Sequence, residues 1–500
     1  MNNSYMTESM RSLTRNPYAW MVFITLLIRF STIGHYPLAD TTEARYSEMA
    51  RIMVETGNWL TPQFNYDVPF WGKPPLSIWV TAISFKIFGI NEFAARLPSI
   101  FVAIIILFIS FYIATQQWGK KTAWIAITFL ATNLLFFILS GAVLMDPVMT
   151  LGITLSMVSF WLAMKQRGRY WGYLFFTGLS IGLMSKGPIA IVLTGIPIFL
   201  WLFLTDNWHH LWQRIPLIGG STLMIALSAP WYLMAEQATP GFLEYFFIGE
   251  HWKRFTVPGW SGDLYGSAHT RTAGTIWLNW LVVAFPMSLI IIAALFKTCW
   301  HRKIACISVL RESWTLYLIL WAITPMMFFT FSGNILATYI MPGIPAAALL
   351  VAGFWLPAKK IVPVAKEQQG RKIISGTAIA SLLIPLAYLW IILVYIPPVA
   401  DKYSEKYLIE KYQQSSTEQS RLIYLNKRPF SARFYSHGKA ELMKNKNIMR
   451  TIVDSSKPVF FAIPVKTEKA LSKTLKSCLS TVQQFKKYTL FRADKKKCTY

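Results

Sequence analysis

Asp40-Thr-Thr-Glu-Ala-Arg-Tyr46 and Phe70-Trp-Gly-Lys-Pro-Pro-Leu76 are two charged stretches that follow the first long apolar run of the chain. They place two acidic residues, an arginine and a lysine just outside that run. Between them, apolar residues recur at helical spacing and Gly57 is a typical helix stop. We predict an amphipathic helix over residues 38–57 that lies on a membrane surface.

The composition indicates a protein that crosses the membrane several times. The chain has 500 residues, of which 54% are hydrophobic, and it contains repeated apolar runs. These runs have about the 20 residues that a helix needs to cross a bilayer, where backbone groups must be satisfied within helices. The net charge of +26 fits basic cytoplasmic loops near anionic headgroups. No nucleic-acid-binding motif is present, so we exclude that function class.

The segment 74–89 decides the predicted topology, because it is apolar but short and Lys86 interrupts it. If it does not span, the basic loops of the chain fall on the side of the N-terminus, as the positive-inside rule requires. If this segment is counted as a span, every later loop moves to the opposite side of the membrane. We therefore predict an all-α polytopic fold with about eleven spans, up to thirteen, and an outer C-terminus. The spans are 18–36, 97–117, 122–141, 147–164, 170–184, 188–205, 214–235, 273–297, 312–331, 335–356 and 372–397.

The composition changes after Pro397-Pro398, which divides the chain into two predicted domains. Residues 1–398 form the transmembrane domain, with outer loops at 37–95 and 236–272. Residues 399–500 form a small soluble α/β domain, with strands at 421–425, 458–464 and 488–492 and helical patterns at 431–444 and 467–477. Cys478 and Cys498 would pair if this domain is exported, whereas Cys299 and Cys306 lie in a basic loop that we place in the cytoplasm.

Under this topology, charged and polar residues from distant parts of the chain gather at the outer face. Ionisable groups at or within a membrane are costly, so we take these residues as functional candidates. They are Asp40, Glu43, Arg45, Lys73, Asp146, Lys186, Glu250, His251, Arg254 and Tyr339.

The candidate carboxylates each allow a structural alternative. Asp40 and Glu43 fit a capping box at a helix start. The same spacing puts them on one helix face, where one would serve as general base toward an acceptor or help to bind a metal. Asp146 precedes a proline, which is typical of a helix N-cap, and is also a catalytic candidate.

The candidate cations suit a phosphate. Lys73 precedes two prolines that prevent a helix, and presents a point charge for phosphate or snorkels to the membrane surface. Lys186 is a turn residue or a phosphate ligand. Glu250, His251 and Arg254 would supply a metal ligand and a guanidinium, or form an ordinary surface helix.

The chain resembles the polyprenyl-phosphate-dependent glycosyltransferases of the C-type fold, in particular those that transfer aminoarabinose to lipid A, within the protein O-mannosyltransferase-like superfamily. The resemblance covers roughly residues 20–355. It rests on motifs in the family's order: Glu43-Ala-Arg-Tyr46, Lys73-Pro-Pro, Met145-Asp146-Pro147, Lys186-Gly187, Glu250-His251-x-x-Arg254-Phe255 and Thr338-Tyr339-Ile.

The resemblance implies that the sugar of an undecaprenyl-phosphate donor is transferred at the outer leaflet of a bacterial inner membrane. An aspartate in the first outer loop would be the key catalytic residue, often with a divalent metal ion. The resemblance implies that Lys73, Arg254 and Tyr339 hold the donor phosphate and that His251 is a metal ligand. From their own chemistry and position, we add Arg45 and Lys186 as phosphate ligands and Glu250 as a metal ligand. Two positions depart from the pattern: the family's aspartate falls at Thr42, and Gly72 stands where the lipid A enzymes usually have a glutamate.

These observations leave three functional hypotheses. The first is an inverting transfer of a sugar, such as an amino sugar, to lipid A or a related envelope acceptor. The second is a protein O-glycosyltransferase, in which Asp40 or Glu43 would activate a hydroxyl. The third, a lipid or sugar transporter, predicts ionisable residues throughout the membrane depth and internal repeats, whereas here the charges cluster on one side.

Overall fold

The computed structural model describes residues 16–257, 259–266, 271–301, 313–355, 383–444, 448–495 and 498. Most of these residues are helical. Cys306 and the basic residues of the predicted loops at 302–311 and 359–372 lie outside the described residues, as does the first part of the predicted span 372–397.

Helices make up most of the molecule outside the C-terminal region. Up to residue 238 they are Pro17–Thr32, Thr42–Thr56, Leu76–Phe88, Glu92–Trp118, Lys120–Ala131, Leu134–Leu139, Asp146–Met164, Tyr170–Lys186, Ile189–Thr205, Trp208–Arg214 and Leu217–Ala238. The one-turn helices Phe242–Glu244 and Arg254–Thr256 follow, with the π-helix Tyr245–Lys253 between them. After them come Thr275–Val283, Met287–His301, Ser313–Thr330, Ala337–Gly343, Ile344–Trp355 and Leu383–Tyr403.

The chain is a multi-pass membrane protein. Within the described residues, six helices are long and apolar enough to cross a membrane, or seven if one bent pair counts as a single span. Several other predicted spans correspond to shorter apolar helices, such as Pro17–Thr32 and Ile189–Thr205. The predicted total of about eleven therefore stays a prediction.

Two predicted spans are interrupted. The span 122–141 breaks at Asn133, whose side-chain oxygen accepts a hydrogen bond from the Phe136 amide (3.0 Å) and starts a second helix. The span 273–297 bends by 109° between Thr275–Val283 and Met287–Ala294. Pro286 lies in that bend, where its missing N–H cannot continue the helix.

Small residues bring two of the central helices into close contact. A Cβ atom on Gly152 would lie 2.6 Å from the carbonyl oxygen of Gly178 and 2.7 Å from the amide nitrogen of Gly182. The helices Asp146–Met164 and Tyr170–Lys186 therefore meet backbone to backbone, as small residues allow in membrane proteins. This contact holds Asp146 and Lys186, at the outer ends of the two helices, close together.

The predicted surface helix exists as Thr42–Thr56, and Gly57 ends it with φ 70° and an amide bonded to the Met53 carbonyl (3.1 Å). Two of its charged residues are buried. Glu48 and Arg51 are 1% and 2% exposed and form an ion pair (2.7 Å). The C-terminal region covers this face, because the helix Phe430–Tyr435 packs against it.

The helix Leu76–Phe88 covers most of the segment 74–89. Its 13 residues span about 20 Å at 1.5 Å per residue, which is less than the roughly 30 Å of a hydrocarbon core. It packs against the surface helix and against Glu92–Trp118. Its length fits the interpretation of this segment as one that does not span.

The C-terminal region contains a five-stranded mixed sheet. With β1 (Gln63–Asn65) and β2 (Val68–Pro69) forming a separate hairpin, its strands are β3 (Arg421–Leu425), β4 (Glu441–Met443), β5 (Val459–Pro464), β6 (Leu479–Gln484) and β7 (Tyr488–Ala493), in the order β4-β3-β5-β7-β6. β3 is parallel to β4 and β5, and β7 is antiparallel to β5 and β6. The sequence predicted β3, β5 and β7 because both faces of these strands are buried, which produces continuous apolar runs.

Two other features of this region differ from expectation. The predicted helix 431–444 ends at Tyr435, and β4 occupies its end. A helix runs from Ile396 to Tyr403 across the predicted boundary, because Pro397 lies in its first turn, where proline is tolerated. Cys478 and Cys498 form a disulfide.

Candidate active site

One cavity of about 980 Å³ brings all ten candidate residues together. Its charged end is formed by loops and helix ends from five distant parts of the chain. Its apolar flank is formed by residues of the helices Leu134–Leu139 and Leu383–Tyr403: Leu134, Phe137, Ile138, Tyr388, Ile391, Ile392 and Ile396. A cavity with both surfaces can receive a charged headgroup and an apolar chain at the same time.

Glu250 holds two of the candidate cations. Its Oε1 atom forms ion pairs with Lys73 and with Arg254 (2.6 Å), and a second carboxylate, Asp263, lies 3.4 Å from Arg254. Burial raises the pKa of Glu250, but the charges of Lys73 and Arg254 outweigh burial and leave this pKa below its ordinary value. The carboxylate is therefore ionised and keeps both cations at the cavity wall.

Asp146 and Lys186 form a second ion pair, with 2.7 Å between Oδ1 and Nζ. The Lys186 ammonium lies 4.7 Å from the ring centre of Tyr339, within the range of a cation–π contact. The predicted N-cap role of Asp146 is wrong, because Asp146 is the first helical residue and Met145 occupies the cap position without a side-chain bond. Lys186 also ends its helix rather than lying in a free turn.

Glu43 is bound on both oxygens by a buried arginine. Arg96 donates from Nε (2.7 Å) and from a terminal nitrogen (2.8 Å), and the amides of Val143 and Ala39 lie 3.3 Å from the carboxylate. Burial raises the pKa of Glu43, but Arg96 outweighs burial and holds this pKa below its ordinary value. These contacts make Glu43 a weak base and a structural anchor.

Asp40 has different partners from those of a capping box. Both of its oxygens accept hydrogen bonds from Ser431 of the C-terminal region, one from the amide (3.1 Å) and one from the hydroxyl. The surface helix has Thr41 at its cap position, without a side-chain bond, so the capping-box interpretation is wrong. Burial raises the pKa of Asp40 above its ordinary value, and the bonds from Ser431 oppose this shift.

Arg45 lies between the surface helix and the outer loop. One of its terminal nitrogens donates to the Tyr265 carbonyl (2.8 Å), and its guanidinium lies over the ring of Tyr46. Its Nε is buried without a hydrogen-bond partner among the described residues. Arg45 therefore retains a donor at the wall of the cavity.

The predicted metal ligands do not fit a metal ion in this arrangement. The ring nitrogens of His251 lie 2.7 Å from the Phe246 carbonyl oxygen and 3.2 Å from the Lys186 carbonyl oxygen, so a backbone oxygen stands in front of each nitrogen where a metal ion would bind. Burial, with the charge of Lys73, lowers the pKa of His251 to about 4, so the ring is neutral. Glu250 is already bound by two cations, and the described residues contain no group of three His, Cys, Asp or Glu side chains around one point. His251 instead fixes the turn at Lys186, and a metal requirement stays a prediction.

Several cavity residues were not identified from the sequence. Asp263 and Tyr265 lie in the outer loop, and Lys427 and Phe430 come from the C-terminal region. Arg29 lies in the first apolar helix and also lines the cavity. A charged residue within an apolar run indicates a functional site, so the sequence contained a signal for Arg29. The other four lack such a signal, because their position depends on contacts between distant segments.

Comparison with known proteins shows which families this chain resembles. Residues 18–246 match the model of the dolichyl-phosphate-mannose-protein mannosyltransferase family. The undecaprenyl phosphate-alpha-4-amino-4-deoxy-L-arabinose arabinosyl transferase of Enterobacter sp. (strain 638) is 30% identical over 341 residues, which are 66% of this chain and 58% of the relative. The enzyme of the same name from Erwinia tasmaniensis is 31% identical over 320 residues, which are 62% and 54% of the two chains. The match thus spans between half and two thirds of the length of these curated relatives.

The crystal structure of ArnT from Cupriavidus metallidurans bound to undecaprenyl phosphate is similar over almost the whole chain. The TM-score is 0.78 with 18% sequence identity, covering 96% of this chain and 98% of that one. This chain has the ArnT fold. The resemblance to polyprenyl-phosphate-dependent glycosyltransferases of the C-type fold is confirmed, and the ArnT fold extends through the C-terminal sheet.

Proposed function

We propose that this protein is a glycosyltransferase that moves a sugar, of the 4-amino-4-deoxy-arabinose type, from undecaprenyl phosphate to lipid A or a related envelope acceptor. The observation that carries the proposal is the cavity itself, in which Lys73, Arg254, Lys186 and Tyr339 face one space with an apolar flank. A polyprenyl-phosphate sugar has the matching chemistry, namely one phosphate on an apolar chain. The named relatives use such a donor.

The cations would act mainly on the leaving group. An acceptor oxygen attacks the anomeric carbon, the bond from that carbon to the donor phosphate oxygen breaks, and the phosphate leaves with the electron pair. Lys73, Arg254 and Lys186, already fixed by Glu250 and Asp146, would stabilise the charge that develops on this phosphate. Preorganised charges of this kind need little rearrangement during the reaction.

The acceptor decides whether a base is needed. A phosphate oxygen of a lipid A-type acceptor is already ionised, so positioning suffices. For a hydroxyl acceptor, Asp40 is the better base, because burial raises its pKa and no cation forms an ion pair with it within the described residues. Glu43 is excluded from this role by its bonds to Arg96.

A protein O-glycosyltransferase is the second candidate. The match of residues 18–246 to the protein mannosyltransferase family model favours it. In that reaction the proton of the attacking serine or threonine hydroxyl would pass to Asp40.

We place the active site and the C-terminal region on the periplasmic side of a bacterial inner membrane. The disulfide between Cys478 and Cys498 supports this orientation, since disulfides persist in oxidising compartments such as the periplasm. On this view the C-terminal region is a soluble periplasmic domain that closes the cavity.

The test is transfer by the purified protein. We expect it to convert lipid A to a product heavier by one aminoarabinose residue when given undecaprenyl phosphate-aminoarabinose, as measured by mass spectrometry. A peptide rich in serine and threonine, supplied with undecaprenyl-phosphate mannose, tests the second candidate. No product with either pair, and movement of intact donor across a vesicle membrane, would instead support transport.

Two variants connect the activity to the cavity. Lys73→Met removes a charge at the donor phosphate and should raise the KM for the donor about 10- to 100-fold, as expected for a hydrogen bond between charged groups. Lys86→Met is the matched control, because Lys86 lies outside the cavity over the ring of Trp59. Equal effects of both substitutions would argue against the assigned phosphate site.

A further inference from the structure

Arg29 is a buried cation in the cavity, and the described residues supply no acidic partner for it. It lies in the last turn of the helix Pro17–Thr32 and is 3% exposed. Its terminal nitrogens donate to the Tyr36 hydroxyl (3.0 Å) and the Ile138 carbonyl (2.8 Å). Its Nε has no hydrogen-bond partner, and within the described part of the chain no carboxylate lies at ion-pair distance. A buried charge without a counter-ion is unfavourable unless a ligand supplies one.

The chain makes room for this guanidinium. A Cβ atom on Gly141 would overlap with Nε, Cζ and a terminal nitrogen of Arg29. The ring of Phe137 lies 5.3 Å from Cζ on another side. The side chain is therefore held in one orientation, at the border between the charged end of the cavity and its apolar flank.

We propose that Arg29 binds the phosphate of the acceptor lipid. This inference rests on the proposed function. The donor carries one phosphate, and Lys73, Arg254 and Lys186 are already placed to bind it. These three cations are held by Glu250 and Asp146, whereas Arg29 is held by Tyr36 and Ile138. The acceptor is a second phosphorylated lipid in the same cavity. Arg29 lies beside Phe137, Tyr388 and Ile392, where the acyl chains of that lipid would lie.

A structural role is the alternative explanation. A cation in the last turn of a helix interacts favourably with the helix dipole, and the contacts with Tyr36, Ile138 and Phe137 connect the first helix to its neighbour. If this role is the correct one, substitution of Arg29 should lower the stability of the protein without a selective effect on the KM of either substrate.

The experiment separates the substrates. In transfer assays, Arg29→Gln should raise the KM for a monophosphorylated lipid A-type acceptor about 10- to 100-fold, as for a lost bond to a charged group. The KM for the donor should change less than about threefold. Arg29→Lys keeps the charge and should restore part of the acceptor affinity. Gly141→Ala displaces the guanidinium without removing it and should raise the acceptor KM as Arg29→Gln does.

Direct binding makes the test independent of turnover. A glucosamine disaccharide lipid with one phosphomonoester should bind the wild-type protein more tightly than the same lipid without phosphate, and Arg29→Gln should abolish this difference. Weaker binding of undecaprenyl phosphate instead would assign Arg29 to the donor and overturn the proposal. Equal loss for every ligand together with a lower melting temperature would show a structural role, which also overturns it.

The two proposals fail in different ways. If the wild-type protein transfers sugar and Arg29→Gln leaves the acceptor KM unchanged, only the role of Arg29 is wrong. If the wild-type protein transfers nothing but binds the phosphorylated lipid through Arg29, the proposed reaction is wrong and the anion site stands.

Discussion

Asp40 and Glu43 are three residues apart in the sequence but have opposite environments. Glu43 is bound by the guanidinium of Arg96, which is fully buried. Asp40 accepts hydrogen bonds from the neutral amide and hydroxyl of Ser431, and among the described residues it forms no ion pair. These environments give the two carboxylates different roles. Glu43 stabilises the structure of the site, and Asp40 is the candidate for its chemistry.

Substitution of the two carboxylates should separate these tasks. With a hydroxyl acceptor, Asp40→Asn should lower kcat about 100-fold or more, because general base catalysis contributes roughly that much. Glu43→Gln should instead lower the melting temperature, since removing one partner of a buried ion pair costs about 3 to 5 kcal/mol. Steady-state kinetics and thermal unfolding in detergent measure both effects. A kinetic defect in Glu43→Gln without loss of stability would contradict the assignment.

At the scale of single elements, packed helices position the site. Asp146 and Lys186 meet because the helices that carry them approach through Gly152, Gly178 and Gly182. This close contact cannot accommodate a methyl group on either side.

Gly178→Ala should therefore destabilise the protein, because the new Cβ would lie 2.6 Å from the Gly152 carbonyl oxygen. We expect a loss of about 1 to 3 kcal/mol, the usual cost of overpacking, seen as a lower melting temperature. Gly195→Ala is the control, since nothing lies within 4 Å of its Cβ position and alanine favours a helix. A melting temperature of Gly178→Ala equal to that of the control would contradict this packing.

Glu405, just before the helix Lys406–Ser415, gives the C-terminal region a buried carboxyl group whose charge depends on pH. The amide of Glu405 donates to the hydroxyl of Ser431 (3.0 Å), which also contacts Asp40. Burial, together with the charges of Asp40 and Asp401, raises the pKa of the Glu405 carboxyl to about 8, although Lys487 and Tyr424 oppose the shift.

The sign of the resulting pH effect follows from this raised pKa. Below about pH 4.5, the ordinary pKa of the group, Glu405 is protonated in both the folded and the unfolded chain. As the pH rises to about 8, only the unfolded chain releases its proton, so the free energy of unfolding falls by on the order of 3 to 5 kcal/mol. The melting temperature should decline between pH 5 and pH 8, and Glu405→Gln should remove most of the decline. An unchanged pH profile in this variant would exclude Glu405 as the cause.

At the scale of the whole molecule, the C-terminal region completes the cavity. Lys427 and Phe430 line it, Ser431 binds Asp40, and the Tyr435 hydroxyl accepts a bond from the Leu38 amide (2.7 Å) and donates to Glu92 (3.0 Å). The two predicted domains therefore share one site.

The orientation of the molecule can be tested by cysteine labelling. After replacement of Cys299 and Cys306 by serine, a membrane-impermeant maleimide should label Glu418→Cys in intact spheroplasts, since this exposed position belongs to the C-terminal region. Arg167→Cys, exposed in a basic loop that the positive-inside rule places in the cytoplasm, should react only after lysis. The reverse pattern would invert the topology and the proposed location of the active site.

The sequence by itself determined the class of the protein, most helix positions, the stop at Gly57, the strands β3, β5 and β7, and ten of the residues that line the cavity. These features follow from local pattern, because apolar length, backbone preference and charge are properties of neighbouring residues. The tertiary structure alone decided that Arg96 binds Glu43, that Ser431 binds Asp40 from 391 residues away, and that Arg29 has no acidic partner among the described residues. These contacts depend on how distant segments pack, and the same packing shifts the pKa of each carboxylate and determines its chemical role.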